Sequence, residues 1–264
     1  WNVVWADAED AASFKSAITA KTKAIFIESI CNPGGRITDI EAIAEVAKAA
    51  GVPLIVDNTL ATPYLCNPFK HGANIVLHSL TKFMGGHGNS MGGVIVDAGN
   101  FDWSKSGRYP LLSEPNDSYH GLKLHETFGA IAFAIACRVL GLRDLGPAIS
   151  PFNAWLIMRG SATLPLRLRR QCENAQAVAE FLAADPRVVH VSYPGLPGHD
   201  QHALAVTQLS GGFGGVVSCA LRGTHEDRLR FVNDLRVITS AVSLGHDETL
   251  VAYGNYALEQ AYDA

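Results

Sequence analysis

Two short apolar runs, Lys-Ala-Ile-Phe-Ile-Glu at 23–28 and Pro-Leu-Ile-Val-Asp at 53–57, flank a stretch with helical spacing, and this unit constrains the chain more than any other feature. Each run is short and β-rich, and Asn32, Pro33, Gly34 and Gly35 supply a turn after the first. Between the runs, Thr38 and Glu41 have capping-box spacing, and Ile40, Ile43, Ala44, Val46 and Ala47 repeat at helical intervals. Gly51 stands where a C-terminal glycine ends a helix. Two strands joined through a helix must pair in parallel with a right-handed crossover. Runs at 74–78 and 93–96 extend the sheet, so the predicted class is α/β, a mostly parallel sheet flanked by helices. Ligands of such sheets gather beyond the carboxyl ends of the strands, where Glu28, Asp57 and Ser79 each fall.

At 264 residues, 48% of them hydrophobic and 17% charged, the chain can bury a large core, and disorder is excluded over most of it. A formal charge of −4 supplies no basic field for a polyphosphate backbone, which argues against nucleic acid as a partner. Five cysteines without a C-x-x-C pair suggest neither a disulfide framework nor a zinc ribbon and fit a reducing cytoplasm. The longest apolar stretch, near Ala130 to Cys137, is too short to span a bilayer, and no cationic leader is visible, so no membrane association is expected.

Three regions are predicted. Residues 1–153 form part of a large domain. In it, the part from Phe101 to Pro151 begins rich in Gly, Pro, Ser and Tyr, continues as a helix of small residues over 128–140, and wraps the active-site face. Residues 154–184 form a linking helical region, which Pro165 kinks or interrupts and which carries a solvated cluster of Arg167, Arg169 and Arg170. Residues 185–264 form a smaller, incomplete α+β domain with strands at 188–193, 214–221 and 237–242 and a helix at 226–235.

The chemistry centres on Ser79-Leu80-Thr81-Lys82, which follows the run at 74–78, with Lys82 lying 25 residues after Asp57. An amine, two hydroxyls and a strand-terminal carboxylate are what pyridoxal 5'-phosphate requires. The amine forms a Schiff base, the hydroxyls serve the phosphate, and the carboxylate keeps the ring nitrogen protonated. Free lysine titrates near 10.4, so the site must help Lys82 become neutral. Each residue also has an ordinary reading: Lys82 as a solvated strand-end lysine, Asp57-Asn58-Thr59 as a turn, Asn32 as the turn before Pro33. Gly85, Gly86 and Gly88 match neither phosphate-loop pattern and serve tight turning. His87, His120, His125 and His246 lack metal-ligand spacing, so no metal is expected and they read as solvated or core residues.

The segments Glu28-Ser29-Ile30-Cys31-Asn32-Pro33, Val56-Asp57-Asn58-Thr59, Thr62-Pro63-Tyr64-Leu65 and His78 through Gly88 together resemble the cysteine/methionine-metabolism family of fold-type I pyridoxal-phosphate enzymes. Phe101-Asp102-Trp103, Ser118-Tyr119-His120-Gly121, Leu142-Arg143-Asp144-Leu145-Gly146 and Ser150-Pro151-Phe152-Asn153-Ala154 resemble its O-acetylhomoserine sulfhydrylase branch. The resemblance implies that Lys82 carries the cofactor, Asp57 pairs with the pyridinium, Ser79 and Thr81 hold phosphate oxygens and Asn32 lies near the phenolic oxygen. It places Ser243, in Val242-Ser243-Leu244-Gly245, near the substrate carboxylate. The implied activity is γ-replacement on O-acetylhomoserine by sulfide or methanethiol, in a homotetramer built from dimers. Two alternatives stay open: a C–S lyase of methionine or cystathionine, and a cofactor-free, incompetent form. The latter is raised because the family's glycine-containing phosphate loop, stacking tyrosine and Tyr-x-Arg segment do not precede Trp1. The sequence thus reads as part of a longer protein, without the usual C-terminal carboxylate-clamping arginine and with a departure from the family pattern over its last dozen residues.

Overall fold

The computed structural model describes residues 2–254; the departure over the last dozen residues lies almost wholly outside them. Its centre is a four-stranded sheet in the order β1 (Ile25–Glu28), β2 (Leu54–Asp57), β3 (Ile75–Ser79), β4 (Gly93–Asp97). β1, β2 and β3 are parallel and β4 is antiparallel to β3. The register pairs Glu28 with Asp57 and Asp57 with Leu77, so the carboxyl ends of the parallel strands finish along one edge.

The helix after β1, α1 (Ile40–Ala50), buries Ile40, Ile43, Ala44 and Ala47, and Gly51 ends it at φ 65°. Its cap is Asp39, which accepts from the Ala42 N–H, and not Thr38. Both are good cap residues; tertiary packing chooses between them. Thr38 is buried, and its carbonyl accepts from Gln208, whose side-chain oxygen also takes the Ile40 N–H.

The linking region is two helices, α2 (Pro151–Ser161) and α3 (Leu164–Ala184). Pro165 lies in the first turn of α3, where its missing N–H costs nothing, so it starts a helix and kinks none. The helix expected over 128–140 is broken. Gly129, at φ 54°, ends the α-turns Leu124–Phe128; a 3-10 turn, a short α-helix (Ala132–Ala136) and a π-type stretch (Cys137–Leu145) follow.

Two cores flank the sheet. On one face Leu54, Val56 and Val76 pack with α1, with Leu164, Leu168 and Cys172 of α3, and with Ala205 of α4 (His202–Gln208). On the other, Ile55, Ile75 and Leu77 meet Trp103, Leu112, Leu124 and Phe133, with the Trp103 and Phe133 rings stacked at 5.0 Å. The segment after Phe101 therefore covers the second face of the sheet, where its aromatic residues find their apolar partners, and only near Ile149 does it reach the edge at which β3 ends, against Gly92.

After α3, β5 (Val188–Ser192) and β6 (Ser218–Leu221) form an antiparallel pair. The Ser192 and Ser218 hydroxyls donate to the carbonyls of Gly34 and Pro33, fastening this pair to the turn after β1. The strand expected from 214 begins only at Ser218. Gly214, at φ 96°, instead gives its carbonyl to the buried Tyr193 hydroxyl, and Gly215 passes against the Phe83 ring. A helix α5 (His225–Asp234) follows, closed at its start by a capping box between Thr224 and Asp227. Of 237–242 the strand covers Thr239–Ser240, in parallel with Leu250–Val251, with the Ala241 N–H also donating to the Val251 carbonyl.

Candidate active site

The strand ends and the turn after β3 enclose a cavity of about 160 Å³ lined by Glu28, Ile30, Asn32, Asp57, Thr59, Leu60, Ser79, Lys82 and Leu244. Sheet register brings Glu28 and Asp57 side by side. The turn after Asp57 is fixed twice over. Asp57 Oδ1 accepts from the Thr59 N–H at 2.9 Å, and the buried Asn58 amide donates to the Thr62 and Cys66 carbonyls at 3.0 Å. Thr59 Oγ1 then accepts the Ser79 N–H at 2.8 Å, locking the end of β2 to the end of β3. The turn reading of Asp57 is realised, one carboxylate oxygen ordering the turn, and the side chain also lines the cavity.

Burial raises the Glu28 pKa, and the neighbouring Asp57 charge adds to the effect; the Asn32 N–H, donating to Glu28 Oε2 at 3.2 Å, opposes it. His78, buried one residue before Ser79, is held below its ordinary value by desolvation. It is a core residue, and its burial disfavours the charged form.

Lys82 lies inside a π-type turn (Leu80–Met84) and breaks it, at φ −92° and ψ −133°. Its Nζ donates to Ser243 Oγ at 2.9 Å, across 161 residues of sequence. Ser243 itself sits at φ 106°, and its oxygen lies 3.2 Å from His246 Nε2. Gly245 lies against the lysine turn so closely that a Cβ there would stand 2.5 Å from the Phe83 nitrogen, and its φ of 80° also favours glycine.

Thr81 is placed differently from the other hydroxyl. Ser79 lines the cavity, whereas Thr81 Oγ1 accepts the Gly92 N–H at 3.1 Å and donates to the Gly92 carbonyl at 3.3 Å, fastening the turn to the start of β4.

Sequence reasoning missed Arg167, expected to be solvated. Its guanidinium is half-buried and donates to the carbonyls of Phe83 (2.8 Å), Met84 (3.3 Å) and Gly160 (2.9 Å) and to Thr163 Oγ1 (3.0 Å). A cluster of arginines one or two residues apart cannot show which of them turns inward. The one available signal was Gly86: a Cβ there would fall 2.1 Å from the guanidinium, so the glycine loop makes room for Arg167.

An amine, a carboxylate, a hydroxyl and a side-chain amide around one cavity at strand ends is a donor set that fits an aromatic aldehyde phosphate with a basic ring nitrogen. The comparisons with known proteins agree. Residues 1–261 match the family described as Cys/Met metabolism PLP-dependent enzyme. The chain is 45% identical over 260 residues to an O-acetyl-L-homoserine sulfhydrylase of Leptospira meyeri, covering 95% of this chain and 59% of that protein. It is 46% identical over 245 residues to a homocysteine synthase of Schizosaccharomyces pombe, covering 92% and 57%. A solved structure from Campylobacter jejuni, described as an O-acetylhomoserine (thiol)-lyase with a pyridoxyl-lysine phosphate, superposes at a TM-score of 0.90 with 35% identity over 94% of this chain and 62% of that one. The chain thus spans about three fifths of the length of the curated relatives it matches. With its fold and its lysine-centred cavity, the chain belongs to the Cys/Met metabolism family of pyridoxal-phosphate-dependent enzymes.

Proposed function

We propose that the protein catalyses γ-replacement on O-acetylhomoserine, adding sulfide or methanethiol at the γ-carbon and releasing acetate, to give homocysteine or methionine. The observation that carries this reading is the convergence of Lys82, Asp57 and Ser79 on one cavity, in a chain whose most similar relatives include a sulfhydrylase and a homocysteine synthase. When bound, pyridoxal phosphate supplies the electron sink that acidifies the carbons next to the substrate amine.

The chain's own residues do the rest. Lys82 would hold the cofactor through Nζ and, as a free amine, would take up and return protons at the α- and β-carbons of the substrate. Asp57 holds the ring nitrogen in its protonated form. Ser79 receives a phosphate oxygen, and Thr81 joins it only by giving up Gly92, so Ser79 carries more of that contact. Asn32 would offer its side-chain amide to the phenolic oxygen. Ser243, beside Lys82, is positioned to meet the substrate carboxylate when Lys82 moves away.

The same reading treats 1–153 as part of the large domain, 154–184 as a link and 185–264 as a smaller domain, in a cytoplasmic homotetramer. Among the described residues no helix is long and apolar enough to cross a membrane. The test is turnover by the cofactor-loaded full-length protein. O-acetylhomoserine plus sulfide should yield homocysteine and acetate in equal amounts. Release of an oxoacid and ammonia without any thiol would instead assign the protein to the lyases.

A further inference from the structure

Lys82, Ser243 and His246 form a chain of contacts in which one hydrogen has to be placed. Lys82 Nζ donates to Ser243 Oγ at 2.9 Å, so the serine's own hydrogen must point elsewhere, and His246 Nε2 lies 3.2 Å away to receive it. That direction requires the neutral ring with its hydrogen on Nδ1. The ring is held from the other side by the glycine loop, since a Cβ at Gly88 would lie 3.0–3.4 Å from its Cε1, Nδ1 and Nε2 atoms. Its own backbone is held too, the His246 carbonyl accepting from Gln171 of α3 at 2.9 Å.

We infer that His246 is a positioning residue for Lys82: by accepting the Ser243 hydroxyl hydrogen it fixes a serine lone pair toward Nζ and so keeps the free amine aimed into the cavity. No bond is made or broken in this role. The inference rests on Lys82 being the cofactor-bearing residue. The φ of 106° at Ser243 and the turn at Gly245 together bring Ser243 Oγ to the lysine and His246 Nε2 to Ser243.

Charged and titratable groups face this chain from every element around it. Glu28 and Asp57 share the cavity with Lys82. Asp247 adjoins His246 and interacts with Arg167 of α3. His87, on the glycine loop, contacts the Gly85 carbonyl through Nδ1 at 2.8 Å. All of these stay constant in variants of His246 alone.

The test is the rate at which full-length apoprotein captures pyridoxal phosphate, followed by the visible band across pH. Only neutral Lys82 reacts, so the profile reads the amine's apparent pKa. An oriented acceptor favours the ammonium form. His246→Leu should therefore move the profile down by about half a unit or more, and in the loaded enzyme lower kcat by about fivefold or more with KM nearly unchanged. His246→Gln, whose side-chain oxygen can still accept, should restore both. A His246→Leu profile that superimposes on the native one, or moves upward, overturns the inference. So does a His246→Gln variant displaced as far as His246→Leu. Capture needs no homoserine ester, so a protein that captures the cofactor normally but makes no homocysteine refutes the proposed reaction and leaves this inference standing. Failure of native capture refutes both.

Discussion

The two sides of the candidate site are built in different ways. The carboxylate side, Glu28 and Asp57 with the Asn58–Thr59 turn, is assembled from neighbouring strands and from hydrogen bonds that reach at most 20 residues along the chain. The lysine side depends on distant partners, Arg167 84 residues beyond Phe83 and Ser243 161 residues beyond Lys82. Sheet register alone aligns the carboxylates, whereas Lys82 is aimed only once the helical link and the 243–246 turn have closed over it. The carboxylate side should therefore tolerate changes elsewhere that the lysine side does not.

Mutations can break this contrast or sharpen it. Lys82→Ala should abolish the visible band of the lysine-bound cofactor and lower turnover by ~10³-fold or more, with little change in Tm. Asp57→Asn comes next. It keeps an oxygen for the Thr59 N–H but removes the charge proposed to keep the ring nitrogen protonated, and kcat should fall by roughly 10²-fold while the band persists.

Arg167→Lys cannot reproduce a planar fork that serves three carbonyls. It should cost about 2–3 kcal/mol, read as a lower denaturation midpoint, and it should slow cofactor capture. Stability loss with normal capture would show that the lysine turn does not depend on α3.

The smallest effect belongs to Glu28→Gln. Burial first, then Asp57, raises the Glu28 pKa above 4.5, so the folded protein binds this proton more tightly than the unfolded chain does. Glu28 is thus least unfavourable when protonated, and its contribution declines as pH rises from 4.5 through its folded pKa. Above that window the glutamine variant should be as stable as the native protein or slightly more so, with a flatter Tm against pH between about 4.5 and neutrality. A variant that tracks the native curve would remove Glu28 from the electrostatics of the cavity.

How much of this was legible beforehand follows the same division. The βαβ unit, the four sheet strands and the convergence of Glu28, Asp57, Ser79 and Lys82 could be read because strand period, turn chemistry and parallel pairing are local or nearly local signals. Thr38 and Asp39 were indistinguishable as caps until Gln208 buried one of them. Gly214 and Gly215 read as strand because nothing adjacent to them revealed that Tyr193 and Phe83 would claim that backbone. Thr81 looked equivalent to Ser79 because hydroxyls two residues apart look alike in a sequence, and only the approach of Gly92 separates them.

The sequence by itself determined the α/β sheet, the strand edge at which chemistry gathers and the kinds of side chain placed there, since these follow from apolar periodicity and strand-terminal residues. The tertiary structure decided which arginine turned inward, which hydroxyl faced the cavity and what held Lys82. Those choices depend on Arg167 meeting Phe83 across 84 residues, Gly92 meeting Thr81 across 11 and Ser243 meeting Lys82 across 161, and no local pattern encodes a contact whose two halves meet only on folding.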